Sequence, residues 1–176
     1  GVLSPKETIW GLFSATFYTN VRANLYLTGT SSCLFLKSDH DDTYLADKEG
    51  MDYRYEKWFK NYSAIEASGM RCVKILDTYE LTYSTRPDAR VKGINMLRLP
   101  ELYYIITEYY LSLENQDEAV KYFDKVLQSR GLTGYADRQG ASLTLEKVIQ
   151  ERRKELICEG QYFFTQKRYN QSIYEP

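Results

Sequence analysis

The sequence predicts a mostly α fold, with a loop-rich N-terminal portion that carries short strands and a helical C-terminal portion. Three observations carry this expectation. Apolar residues recur at three- and four-residue spacing through the second half of the chain. Capping residues and glycines stand where those stretches begin and end. Before about residue 94 such periodicity is missing, and turn-forming residues are frequent. The reading is of one domain over residues 1–176, with a loop-rich part at 1–94 and a helical part at 95–176.

The elements follow in order. Ser4-Pro5-Lys6-Glu7 has the S-x-x-E spacing of a capping box, with Pro at the first helical position. Residues 8–17 are rich in β-branched and aromatic side chains, so helix and strand both remain open. Residues 28–53 carry turn chemistry in Thr28-Gly29-Thr30-Ser31-Ser32, Ser38-Asp39-His40-Asp41-Asp42 and Glu49-Gly50, which predicts loops with a short strand around 33–36.

Leu97, Leu99, Leu102, Ile105, Ile106, Tyr109 and Leu113 mark one helix near 97–113. Glu114-Asn115-Gln116-Asp117 makes a turn with Asp117 as N-cap. Ala119, Val120, Phe123, Val126 and Leu127 mark the next helix, near 117–130. Gly131 takes its C′ position, where a left-handed residue is wanted. Thr144 caps a third helical stretch near 145–169, striped by Leu145, Val148, Ile149 and Leu156 and interrupted at Gly160. The pair at 97–130 looks like a tetratricopeptide unit, with Ala119 small enough to let two helices approach. One copy cannot stand as a solenoid, which needs about three repeats, so the pair must pack on something else.

Composition narrows the function. Lys+Arg is 23 against Asp+Glu 24, a net charge of -1, so nothing draws the chain to nucleic acid or an anionic membrane. No apolar run approaches the roughly 20 residues that span a bilayer. Cys33, Cys72 and Cys158 lie far apart, without a CxxC pair, and His40 is the sole histidine, which argues against zinc and against a His-based triad. Asp39, Asp41 and Asp42 lack the Gly and distal Glu of an EF-hand loop, so no metal or cofactor is expected. The chain opens Gly1-Val2-Leu3-Ser4 with no initiator Met, as a mature protein or an excised piece would. The 17 Tyr, 7 Phe and 2 Trp suit a helix core with a wet rim, and equally suit stacking on sugar rings.

Six charged residues stand beside the helical stripes: Arg98, Glu101 and Glu108 on the first helix, and Arg152, Glu155 and Glu159 on the third. Paired carboxylates can serve as acid and base in glycoside hydrolysis. Glu101 and Glu108 are seven residues apart, roughly 10.5 Å along a helix, beyond the roughly 5–9.5 Å that hydrolytic pairs use. Beside an apolar stripe a charge must find a partner, so these six are expected to form a structural charge network, with Arg98 and Arg152 as the cations for Glu101 and Glu108. No catalytic constellation emerges.

Two segments resemble a known family. Asn95-Met96-Leu97-Arg98-Leu99-Pro100-Glu101-Leu102-Tyr103-Tyr104-Ile105-Ile106-Thr107-Glu108 resembles the SusD/RagB pattern "RxxEvyLixAEA". Glu151-Arg152-Arg153-Lys154-Glu155-Leu156-Ile157-Cys158-Glu159-Gly160-Gln161-Tyr162-Phe163-Phe164-Thr165-Gln166-Lys167-Arg168-Tyr169 resembles the family's "ERRxELxxEGxRxxDLxR". Between them, 118–132 looks like its "AxxxxNxVRxRAGL" helix, while Asp52-Tyr53-Arg54 matches its "DxR" and Glu7-Thr8-Ile9-Trp10 its "ExIF" strand. Tyr162 departs from the usual Arg, and Thr165-Gln166 from Asp-Leu.

The resemblance implies the C-terminal portion of a longer, lipid-anchored protein of the Bacteroidetes outer-membrane surface. Such a protein binds an oligosaccharide or other nutrient and passes it to a SusC-like TonB-dependent transporter, without catalysis and without a cofactor. A helical protein-interaction adaptor is the alternative. Sugar faces are met by flat aromatics with a polar tip, placed in loops, which makes Tyr26, Tyr44, Tyr53 and Trp58 the candidate ligand contacts.

Overall fold

The structure is a computed structural model that describes residues 6–17, 20, 52–63, 68–74, 93–138 and 140–172. It divides into two units, residues 1–48 with 52–98, and residues 49–51 with 99–176.

In the first unit the ambiguous N-terminal run is a strand. β1 (Thr8–Phe13) pairs antiparallel with β4 (Gly93–Arg98), from Thr8 opposite Arg98 to Phe13 opposite Gly93, with irregular register on both sides of Trp10. Its β-branched and aromatic content fits a pleated surface. The Thr8 hydroxyl donates to Asn95 Oδ1 at 2.8 Å. Gly93 permits the close approach of the two strands, since a Cβ there would clash with the Leu12 carbonyl oxygen. Helix α1 (Tyr53–Trp58) runs directly into β2 (Phe59–Ser63), which pairs with β3 (Ser68–Cys72) from Phe59 opposite Cys72 to Ser63 opposite Ser68. Among the described residues Phe59, Cys72 and Val73 are its buried apolar side chains. The capping residues Ser4 and Pro5, the strand expected around 33–36, and Asp39, His40, Asp41 and Asp42 lie outside the described residues.

The second unit holds α2 (Leu99–Ser112), α3 (Gln116–Ser129), α4 (Leu145–Glu155) and α5 (Tyr162–Arg168). The first of these starts two residues later than its periodicity predicts. Leu97 and Arg98 extend in β4, and Pro100 sits in the first turn of α2, where no amide hydrogen is needed. The N-cap of α3 is Asn115, not Asp117. Its side chain accepts from the Glu118 amide at 3.2 Å, which makes Asp117 an acidic residue of the first turn.

Gly131 ends α3 with φ +81°. Leu132 N–H donates to Leu127 O at 3.0 Å and Gly131 N–H to Gln128 O at 3.1 Å, a Schellman pair with Leu132 buried behind it. Thr144 caps α4 by accepting from the Lys147 amide. α4 stops at Glu155, and positive φ at Cys158 and Gly160 turns the chain into α5.

The core of this unit is Tyr104, Ala119, Phe123, Val126, Leu127, Leu132, Leu143 and Val148. Ala119 is fully buried, the small contact its place in the pair predicts. Part of the tyrosine excess goes into the α2–α3 seam, where Tyr110 stacks on Tyr122 with centroids 5.8 Å apart and Tyr104 leans on Phe123 at 6.2 Å. Side chains of α3 hold the loop after it. Gln116 pairs with both backbone groups of Leu143, at 3.0 and 3.1 Å. Asp124 accepts from the amides of Tyr135 (2.7 Å) and Ala136 (3.0 Å) in a single 3-10 turn, Tyr135–Asp137.

Asp124→Ala is therefore expected to lose about 3 kcal/mol, two hydrogen bonds to a charge at about 1.5 kcal/mol each. Asp124→Asn, which keeps one acceptor, should lose about half of that. Urea midpoints of the two variants check the order. Among the described residues no helix is long and apolar enough to cross a membrane.

Candidate functional site

A cluster of charged side chains lies between α2, α4 and α5. Glu101 and Glu108, two turns apart, both meet Arg152 of α4. Nη2 of Arg152 donates to Glu101 Oε1 at 2.7 Å, and Nη1 lies 3.7 Å from Glu108 Oε1. Glu108 also receives Arg168 of α5 at 2.5 Å and the Tyr169 hydroxyl. Burial first, and then the bond to Glu108, raise the Tyr169 phenol well above its ordinary pKa, so it remains a donor through alkaline pH. Two carboxylates and two guanidiniums make this cluster neutral, as a largely buried site requires. Arg98 is not on α2. It is nearly buried at the end of β4, with Nη1 3.5 Å from Glu7.

Glu155 is fully buried and takes a two-point contact from Arg130, at 2.9 and 3.0 Å. Glu159 lies past the end of α4, partly exposed. Sequence reading missed three participants. Arg130 and Arg168 are remote in sequence from the glutamates they meet, and no local spacing points to them. Glu151 had a local signal, since Lys147 and Lys154 stand at i−4 and i+3. It is fully buried, with Lys154 Nζ at 2.8 Å and Lys147 Nζ at 3.8 Å. Tyr162, in place of the family's Arg, lies under the Arg153 guanidinium at 4.5 Å and takes a hydrogen bond from Gln166.

Asp52 and Arg54 form a closed unit at the start of α1. Asp52 Oδ1 accepts from the Arg54 amide and from Nε, both at 2.9 Å, and Oδ2 accepts from Nη2 at 2.8 Å. One carboxylate thus caps the helix and neutralises a buried guanidinium.

Of the aromatic candidates, Tyr53 and Trp58 stand on helix α1 rather than in a loop. Tyr53 is 45% exposed, with Lys57 Nζ 5.4 Å from its ring centroid. Trp58 is partly buried, and Lys74 Nζ sits 4.0 Å over its ring. Tyr26 and Tyr44 lie outside the described residues. Among the described residues no group of three or more His, Cys, Asp or Glu is placed to hold a metal ion.

What this arrangement can do chemically is limited by Arg152. Its guanidinium lies 2.7 Å from one oxygen of Glu101 and 3.7 Å from one oxygen of Glu108, so both carboxylates are tied into an ion network.

The model of the SusD family matches residues 13–175. Solved structures share the fold. A SusD-like carbohydrate binding protein from Bacteroides vulgatus superposes with a TM-score of 0.69 at 21% identity, covering 97% of this chain and 36% of its own. A SusD superfamily protein from the same organism gives 0.56 at 23% identity, covering 81% of this chain and 30% of its own. The chain thus spans about a third of the length of these structures. No curated protein matches it.

Proposed function

The chain belongs to the SusD family, and from that premise we propose that it is the C-terminal portion of a longer, non-catalytic carbohydrate-binding protein at the outer-membrane surface. In this reading the parent is held by a lipid anchor and presents an oligosaccharide to a SusC-like TonB-dependent transporter. The family match over residues 13–175 is the observation that carries it. The guanidinium between Glu101 and Glu108 supports the absence of hydrolysis, and the exposed ring of Tyr53 on α1 supports a role in sugar contact.

A glycan array read with the parent protein tests this. A bound glycan should lose affinity several-fold with Tyr53→Ala, about 1 kcal/mol for one aromatic face. Trp58→Ala should have a smaller effect, because Lys74 already covers one side of that ring. Tyr26→Ala and Tyr44→Ala complete the set. If a glycan binds and none of the four changes matters, recognition lies in other parts of the parent. If no glycan binds and a soluble partner is recovered, the protein is an interaction adaptor.

A further inference from the structure

The loop between α3 and α4 is fastened to α3 at both ends. Asp124 accepts from the amides of Tyr135 and Ala136 at one end, and Gln116 pairs with both backbone groups of Leu143 at the other. Between these ties an open groove of about 570 Å³ separates the loop from the first two turns of α3. That lies within the roughly 300–1,000 Å³ of small-molecule sites. Arg138 steadies the loop, with Nη2 donating to the Thr133 carbonyl at 3.0 Å and the guanidinium carbon 4.7 Å from the Tyr135 ring centroid. The groove is thus formed by the protein's own hydrogen bonds, and a ligand does not have to order it.

Its lining is of two kinds. Val120, Tyr135, Ala136 and Ala141 offer apolar surface, and Asp117 and Ser142 are exposed polar groups. The charges around it are not equally open. Lys121 stands four residues after Asp117, the spacing of a helix ion pair, yet its ammonium goes to both oxygens of Glu118, at 2.9 and 3.0 Å. Arg138 is engaged by Thr133 and Tyr135. Among the described residues the Asp117 carboxylate meets no cation, which leaves it as the open acceptor of the groove.

We propose that this groove is a separate sugar site, which takes one or two rings of a neutral saccharide. The apolar lining meets the C–H faces of the sugar, with Tyr135 as its aromatic member. Asp117 accepts from ring hydroxyls, a charge-assisted bond stronger than one to a neutral oxygen. An acidic saccharide is disfavoured, because the open charge is itself a carboxylate. The ligand class rests on the reading of the parent as a carbohydrate-binding protein. The place does not, since none of Tyr26, Tyr44, Tyr53 and Trp58 lines the groove.

The test is titration of the parent protein with maltose, cellobiose, xylobiose and mannobiose, read as Kd by ligand-observed NMR. Glucosamine disaccharide and digalacturonic acid are the charged controls. Asp117→Ala removes the open acceptor, and Ala141→Trp fills the groove from an exposed loop position. Thermal melts check that both variants stay folded. At least one neutral disaccharide should bind, with Kd raised about tenfold by each variant and unchanged by Tyr53→Ala. Binding that either folded variant leaves intact would overturn the proposal. So would binding of a charged disaccharide alone, or of none. If no disaccharide binds while the glycan array retains a longer glycan, the groove fails and the proposed function stands. If the array is blank as well, both fail.

Discussion

Arg152→Ala is expected to lower stability by about 3 kcal/mol, the low end of the range for breaking a buried ion pair. In a chain of this size that is a fall of roughly 10 °C in Tm. The loss is not the strength of one hydrogen bond. Glu101 meets Arg152 at 2.7 Å and is mostly buried, so removing the guanidinium strands a charge in a poorly solvated place. Glu108 suffers less, because Arg168 and Tyr169 remain beside it. The cost should therefore track Glu101. The double variant Arg152→Ala with Glu101→Gln should recover part of the loss, since an amide is less costly to bury than an unpaired carboxylate. Differential scanning calorimetry of the single and double variants decides between this and a merely steric role. Additive losses would show that the two groups do not act as a pair. If the proposed function holds, glycan affinity of the surviving folded protein should not move.

The helices were legible because their apolar periodicity is local and their caps are local. Thr144, Gly131 and Ala119 do what their positions predict. The errors fall where a distant partner decides. Leu97 fits the spacing of the α2 stripe, but residues 93–98 are held extended by β1, whose Thr8 lies opposite Arg98 across the sheet. No window of local periodicity contains that pairing. Asp117 and Asn115 are both good caps, and the tight turn at Glu114, with φ +57°, brings Asn115 to the helix start.

The charge cluster shows the same division. That Glu101 and Glu108 need a cation follows from their place beside an apolar stripe. That the cations are Arg152 and Arg168 depends on how three helices pack. The run Glu151-Arg152-Arg153-Lys154-Glu155 is charged at every position. Four of its five charged residues are buried, with partners on α2, at the C-cap of α3 and within α4. The place of Arg152 and Glu155 beside the apolar stripe marked those two as charges in need of partners, whereas Glu151 and Lys154 carried no such expectation.

Arg54→Ala should be the most damaging change in the first unit, at about 3–5 kcal/mol. Both members of the Asp52–Arg54 pair have side chains only 1% exposed, and their charges are within 2.8 Å. Asp52 has a second duty, because the oxygen that meets Arg54 Nε also accepts the Arg54 amide at the start of α1. Three substitutions separate the two duties. Arg54→Ala leaves the cap in place but strands the carboxylate. Asp52→Asn keeps a capping oxygen and removes the charge, which strands the guanidinium. Asp52→Ala removes both, and should cost about 1 kcal/mol more than Asp52→Asn, the usual worth of an N-cap. Arg54→Lys should rescue only part of the stability, because an ammonium cannot reproduce the two-point fork that Nε and Nη2 make on Asp52. Trp10 in β1 and Trp58 at the end of α1 both lie in this unit, so its transition can be followed by tryptophan fluorescence in urea. An Arg54→Ala midpoint equivalent to less than about 1 kcal/mol of loss would mean that the pair is solvated in practice, at the level of a surface ion pair.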